Sequence, residues 1–186
     1  MNLDELGVSL PDYARDIRLN LGSVLTPQGA PGLSSAQIAG VALAAAISAR
    51  NELLTSAVER WSSGQLDEAA LNAARAAAVV MGMNNVYYRF LHLVADEEYA
   101  RLPARLRMNV IANPGIDRTD FELLSLAVSA VNGCGTCVAS HERKVREGGL
   151  SREAVQSAVR IAAVVHAAAV ALEYAQQSSQ GLSRAA

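Results

Sequence analysis

The chain has 186 residues, 51% of them hydrophobic and only 18% charged, and its formal net charge is −2 at pH 7. This length predicts a single domain, residues 1–186, that is large enough to bury a hydrophobic core. A slightly acidic chain offers no basic surface, so nucleic acid and anionic membranes are not expected partners.

Apolar residues recur with a helical period along most of the chain, and little of it is typical of a strand, so we predict an all-α fold. Pro11 lies in the first turn of a helix that presents Tyr13, Ile17 and Leu21 on one stripe. Thr26–Ser35, rich in proline and glycine, is the clearest loop. Further helices are predicted over residues 35–49, 52–62, 67–82, 85–95, 104–112, 120–132, 135–147 and 152–177. The tail, residues 176–186, is expected to fray.

Two features bear on where the protein works. The first residues, Met1 to Glu5, are acidic and unlike a signal peptide. The longest apolar runs, Ile38–Ala49 and Ile161–Leu172, are shorter than the roughly 20 residues that span a bilayer. We therefore expect a cytoplasmic protein with no membrane segment. A reducing cytosol disfavours a static disulfide and favours one that opens and closes.

The sequence contains a weak internal repeat. Residues 36–82 align without gaps on residues 120–166 at an offset of 84, with Gly64 on Gly148 among the identities. Both segments have the order helix, helix, Gly-x-Leu turn, helix. We interpret this as a duplicated helical unit.

The two cysteines of the chain stand three residues apart, with Cys134 just before the predicted helix 135–147 and Cys137 in its first turn. A CxxC pair at the start of a helix is typical of redox chemistry, because free amides and the helix dipole favour the reactive thiolate. Gly133 and Gly135 suit a tight turn into that helix. This argument favours Cys134, the cysteine nearer the helix end, as the attacking thiol.

A histidine and a glutamate complete the candidate site. His141 follows Cys137 by four residues and so shares its helical face, which would allow the imidazole to take the thiol proton. This spacing favours Cys137 as the attacking thiol. Glu122, on the preceding helix, would orient His141 if the two helices pack together. These positions differ between the repeats, where Ile38, Arg50, Leu53 and Ala57 stand in place of Glu122, Cys134, Cys137 and His141.

Other interpretations of these residues are open. A CxxC pair can be half of a zinc site, but no second pair of ligands is visible, and no histidine follows Cys137 directly as haem attachment requires. Thr119-Asp120-Phe121-Glu122 has the pattern of a capping box, which would explain Glu122 without catalysis. Asn84, Asn85, Tyr87 and Tyr88 are interpreted as helix caps and helix or subunit contacts, with lining of the active cleft as the alternative.

At these residues the chain resembles the alkyl hydroperoxide reductase D proteins (AhpD) of the carboxymuconolactone decarboxylase-like superfamily. The redox members carry a glutamate, then CxxC, then a histidine four residues on. The similarity continues through residues 10–17, 81–89 and 106–115. It departs at Thr136, where well-known relatives have a histidine; this leaves Glu122, His141 and Cys137 in place.

The resemblance implies an all-helical homotrimer with an antioxidant, thiol-dependent role. Such proteins pass electrons from a lipoylated dehydrogenase subunit, served by dihydrolipoamide dehydrogenase, to the peroxiredoxin AhpC, and they reduce hydroperoxides weakly themselves. Carried over, Cys137 attacks peroxide or AhpC and passes through a sulfenic acid, and Cys134 resolves it. His141 is the base and Glu122 orients it. No bound cofactor or metal is implied, since the lipoyl group belongs to the partner.

Overall fold

The computed structural model describes residues 2–184, and within them the chain forms ten α-helices, one short 3-10 helix (Asp12–Ala14) and no strand. The predicted all-α fold is therefore confirmed. The helices are α1 (Leu3–Ser9), α2 (Arg15–Val24), α3 (Ser35–Ala49), α4 (Glu52–Ser62), α5 (Glu68–Val94), α6 (Glu97–Arg101), α7 (Asn109–Ala112), α8 (Arg118–Val131), α9 (Gly135–Glu147) and α10 (Arg152–Arg184).

Helix α3 lies at the centre of the fold. Every residue from Ile38 to Ala46 is buried, and the helix packs against α4, α5, α8 and α10. Such a helix is apolar on all sides, as expected of one enclosed by protein. Its many alanines allow the neighbouring helices to approach closely, so a core poor in aromatic residues still packs densely.

The two predicted repeats correspond to α3–α4–α5 and α8–α9–α10. Equivalent positions of the repeats meet where α3 packs on α8: Ser48 hydrogen-bonds Asn132, and a Cβ on Gly40 would lie 3.0 Å from Leu124. Because like positions meet at both ends of the contact, the two helices run parallel. This arrangement suits a pseudo-twofold axis between the units, while common descent of the two units stays a prediction.

The predicted break between helices 67–82 and 85–95 is wrong, because α5 is one continuous helix from Glu68 to Val94. The predicted break assigns capping roles to Asn84 and Asn85. Both are instead buried inside the helix, and the Asn85 side chain bonds to α8 and to the turn after it. Tertiary hydrogen bonds here replace the local ones that make asparagine a helix breaker.

The predicted helix over residues 104–112 is also wrong in most of its length. Only α7, Asn109–Ala112, is helical, and the chain before it has no regular structure. Pro103 has no N–H to donate, and Arg105 has a left-handed backbone with φ of 51°, so a helix cannot run through this segment.

The chain ends in a helix longer than predicted. Helix α10 continues from Arg152 to Arg184, past the predicted end at residue 177, so the tail does not leave the helix where expected; residues 185–186 lie outside the described part. The window Arg152–Ser178 is long and apolar enough to cross a membrane, but half of it is buried in the fold, where α10 packs against α2, α3 and α8.

The repeat provides a matched test of packing between α8 and the end of α9. A Cβ on Gly148 would overlap the side chain of Thr119, whereas a Cβ on the equivalent Gly64 would meet only the Trp61 carbonyl, at 3.6 Å. We expect Gly148→Ala to lower the free energy of unfolding by about 1–3 kcal/mol, because overpacking forces neighbours aside. Gly64→Ala should change it by less than about 0.5 kcal/mol. Urea denaturation of both variants measures this; equal effects would contradict it.

Candidate redox site

The CxxC pair lies where the turn after α8 enters α9. Gly133 adopts a left-handed backbone with φ of 67°, which glycine accepts without strain, and Cys134 is the N-cap residue of α9. Cys134 and Cys137 are joined in a disulfide with their Cα atoms 5.3 Å apart. The predicted tight turn into a helix is thus present, and both sulfurs lie at the positive end of the α9 dipole.

A buried polar network fixes this turn. Arg89 donates to the Asn132 carbonyl at 2.7 Å, and the Asn132 side chain donates to Asn85 at 2.9 Å. Asn85 in turn donates to Ser129 on α8 at 2.9 Å. The turn that precedes Cys134 is therefore tied to α5 by hydrogen bonds, a role for Arg89 and Asn85 that sequence reasoning missed.

Glu122 and His141 meet across the contact between α8 and α9. The Glu122 Oε2 atom lies 2.5 Å from His141 Nδ1, and both side chains are largely buried, with exposed fractions of 14% and 10%. The predicted contact depends on the packing of these two helices against each other. They do pack, so the structure brings the pair together.

This contact determines which imidazole nitrogen is available. An ionised carboxylate only accepts hydrogen bonds, so Nδ1 of His141 must donate to Glu122. The proton-accepting atom of the neutral ring is then Nε2. A carboxylate that fixes the tautomer of an imidazole beside a thiol is the usual arrangement for a base that activates a nucleophile.

Lys144 is a third partner that the sequence analysis did not identify. Its Nζ atom donates to Glu122 Oε1 at 2.8 Å, so each oxygen of the carboxylate has one cationic or imidazole partner. Burial alone would raise the pKa of the Glu122 carboxyl, but the hydrogen bonds from His141 and Lys144 outweigh it and hold the pKa below its usual range. Lys144 stands three residues after His141, a spacing that places both on one helical face and was available as a signal.

The capping interpretation of Glu122 is wrong. The N-cap residue of α8 is Asp117, whose side chain accepts from the amides of Thr119 and Asp120. Glu122 lies beyond the first turn and points at α9. In the first repeat the cap is Ser34, so Ile38 does not cap either.

A cavity of about 340 Å³ opens over the disulfide. Its wall joins α5, α9 and the segment before α8, and it is lined by Met81, Asn84, Tyr88, Met108, Ile111, Thr136, Cys137, Ser140, His141 and Lys144. Cys137 is 6% exposed and reaches this cavity, whereas Cys134 is fully buried. Asn84 and Tyr88 line the cavity, which is the alternative to capping and helix or subunit contacts that the sequence left open for them.

No cluster of three or more histidine, cysteine, aspartate or glutamate side chains suited to a metal ion occurs in residues 2–184. Beside His141, the carboxylate of Glu122 is paired with the ammonium of Lys144. A carboxylate, an imidazole and a thiol pair at one site are groups suited to proton transfer.

Comparisons with known proteins agree on the kind of protein that this chain resembles. The family model of the carboxymuconolactone decarboxylase family matches residues 97–177. The alkyl hydroperoxide reductase AhpD of Rhodospirillum centenum is 54% identical over 93% of this chain and 91% of its own length. The AhpD proteins of a Bradyrhizobium species (51%, 94% of this chain and 95% of the relative) and of Frankia alni (53%, 100% and 98%) are similarly close.

The lowered pKa of Glu122 links stability to pH. The folded state favours the ionised carboxylate, so its contribution is present at neutral pH and is lost as the pH falls through the lowered pKa. Glu122→Gln should cost about 1–3 kcal/mol of unfolding free energy at pH 7 and progressively less in acid. Urea denaturation between pH 3 and 7 measures this.

The matched control is Glu147→Gln, which removes the same charge from an exposed site at the end of α9. Its difference from the original protein should not grow between acid and neutral pH as that of Glu122→Gln does. A Glu122→Gln curve parallel to that of the unmodified protein would contradict the linkage.

Proposed function

The chain belongs to the AhpD family, and on this premise we propose that it is an antioxidant thiol-disulfide oxidoreductase that relays electrons from dihydrolipoyl groups to the peroxiredoxin AhpC. Direct reduction of hydroperoxides is a weaker second activity. The observation that carries the proposal is the disulfide at the N-terminus of α9, beside a cavity that also contains His141 held by Glu122.

Burial supports Cys137 as the attacking thiol. Cys137 reaches the cavity shared with His141, while Cys134 is fully buried beneath the turn. A partner's sulfur or a peroxide oxygen can approach only a thiol at the cavity surface. Both cysteines lie at the N-terminal end of α9, so the positive field of the helix end does not decide between them. Access to the cavity and the four-residue spacing to His141 favour Cys137.

The proposed relay balances as two thiol-disulfide exchanges. Dihydrolipoyl thiols open the Cys134–Cys137 disulfide and leave as the lipoyl disulfide, passing on two electrons and two protons. His141 then takes the proton of Cys137, whose thiolate attacks the AhpC disulfide. A Cys137–AhpC mixed disulfide forms, and the other AhpC sulfur leaves as a thiol with the proton from His141. Cys134 attacks Cys137, which restores the starting disulfide and releases reduced AhpC.

With a hydroperoxide, the Cys137 thiolate attacks the terminal oxygen and breaks the O–O bond. The sulfur becomes a sulfenic acid, and the alkoxide leaves as an alcohol with the proton that His141 took from the thiol. Cys134 then displaces hydroxide, released as water, and the disulfide reforms.

The proposal extends to assembly and location. We propose a homotrimer that works in the cytoplasm, with no bound cofactor and the lipoyl group supplied by a dehydrogenase subunit. Helix α5 has an outward row of apolar residues suited to contact with other subunits: Val79, Val86, Phe90, Leu93 and Val94.

The central experiment is oxidation of NADH by purified protein with lipoamide, dihydrolipoamide dehydrogenase, AhpC and a hydroperoxide, each omitted in turn. Turnover that does not need this protein would overturn the relay.

Serine variants of the two cysteines should have different defects. We expect Cys137→Ser to abolish NADH oxidation with AhpC and with hydroperoxide, because the attacking sulfur is gone. Cys134→Ser should stop at the first attack and accumulate a mixed disulfide between Cys137 and AhpC, visible on a non-reducing gel. Retained AhpC reduction by Cys137→Ser, or a mixed disulfide through Cys134 instead, would contradict the assignment.

The His141→Gln variant tests whether His141 is the base that takes the Cys137 proton. Without the imidazole, the Cys137 proton has no acceptor, so the relay rate should fall and the pH of half-maximal thiol alkylation in the reduced protein should rise. Alkylation with iodoacetamide across pH 5–10 measures this. His166→Gln, at an exposed position on α10, is the control and should leave both quantities unchanged. An unaltered alkylation profile in His141→Gln would exclude the base role.

A further inference from the structure

Asn84 is an unexplained polar residue at the centre of α5. The residue is 4% exposed, and its Oδ1 atom is buried without a hydrogen-bond donor from any described residue. Buried acceptors in folded proteins nearly always have a partner, and exceptions concentrate at functional sites. The exception therefore needs a functional account.

The adjacent asparagine on α5 has both ends of its amide paired. Asn85 donates to Ser129 through Nδ2 and accepts from Asn132 through Oδ1, so its amide is used fully in holding the turn. Asn84 instead lines the 340 Å³ cavity that contains Cys137 and His141. The residue that carries the unused acceptor is thus part of the wall of the redox cavity.

We infer that Asn84 is a substrate-binding residue whose Oδ1 accepts a hydrogen bond from the terminal O–H of a hydroperoxide. This inference rests on the proposed function and deepens its second activity. The O–H stays on the oxygen that Cys137 attacks and becomes the O–H of the sulfenic acid. A fixed acceptor therefore holds the reacting oxygen from binding to product, while the leaving alkoxide takes its proton from His141.

The rest of the cavity indicates the class of hydroperoxide. Met81, Met108 and Ile111 supply an apolar wall, which suits an alkyl or aryl group better than a second polar one. The substrate expected is an organic hydroperoxide, R–O–O–H, with an apolar R. A disulfide has no hydroxyl at its reacting sulfur, so reduction of AhpC does not use this acceptor.

The test separates the two activities of the reduced protein. Single-turnover oxidation by cumene hydroperoxide is followed by loss of free thiols, and reduction of oxidised AhpC is followed in parallel. Asn84→Ala should lower the second-order rate constant with cumene hydroperoxide about tenfold, which corresponds to about 1.4 kcal/mol, and leave the rate with AhpC within twofold. Equal losses with both acceptors, or no loss with cumene hydroperoxide, would overturn the inference.

A second variant distinguishes the loss of the acceptor from a loss of stability. Asn84→Leu replaces the amide by an apolar group of similar shape, so its melting temperature should not fall, while its rate with cumene hydroperoxide should fall as in Asn84→Ala. The control is Asn72→Ala, on the same helix but exposed and bonded to Arg75. It should match the original protein with both acceptors.

The proposed function and this inference fail separately. A wild-type protein that cannot reduce AhpC removes the relay whatever Asn84 does. An active relay with an Asn84→Leu variant as fast as wild type on cumene hydroperoxide removes only the role of Asn84.

Discussion

The hydrogen-bonded carboxylate of Glu122 is the interaction on which the site depends. It joins α8 to α9 through His141, which also lines the cavity. A carboxylate this buried is costly to desolvate, and the cost is offset because both of its oxygens are bonded, to His141 and to Lys144. The contact between Glu122 and His141 therefore sets the orientation of the imidazole ring as well as its tautomer.

Helix α5 supplies the other half of the constraint. Because it runs unbroken through Asn84 and Asn85, consecutive residues reach two different parts of the site. Asn85 enters the network that ties down the Asn132 turn, and Asn84 faces the cavity. A break in α5 at this point would release the turn before Cys134 and remove one wall of the cavity together.

The sequence predicted the local elements well where composition was unambiguous. Helices α3, α4 and α9 match the predicted spans 35–49, 52–62 and 135–147, and the spacing of Cys137 and His141 placed both on one face. The sequence also indicates Glu122, although its contact with His141 depends on the packing of α8 against α9, which no local pattern specifies. The remaining helix bounds and side-chain contacts depend on tertiary structure.

The failures have the same physical origin. An Asn-Asn pair is a local signal for a helix end, and only the partners on α8 and its following turn show why α5 passes through it. The segment before α7 has helical residues, but Pro103 and the left-handed Arg105 interrupt it. Lys144 was overlooked because a lysine on a helix is usually solvated, and its carboxylate partner lies on another element.

A comparison of the two repeats shows what makes the second one reactive. In the first, Asn51 is the N-cap of α4, and its side chain accepts from the Leu54 amide. In the second, Cys134 is the N-cap of α9 and makes no side-chain capping bond. The first-turn amides of α9 therefore keep no side-chain acceptor, and the group best placed to use their positive field is a thiolate. The second repeat thus lacks a stabilising cap at the point where the reduced cysteines would gain negative charge.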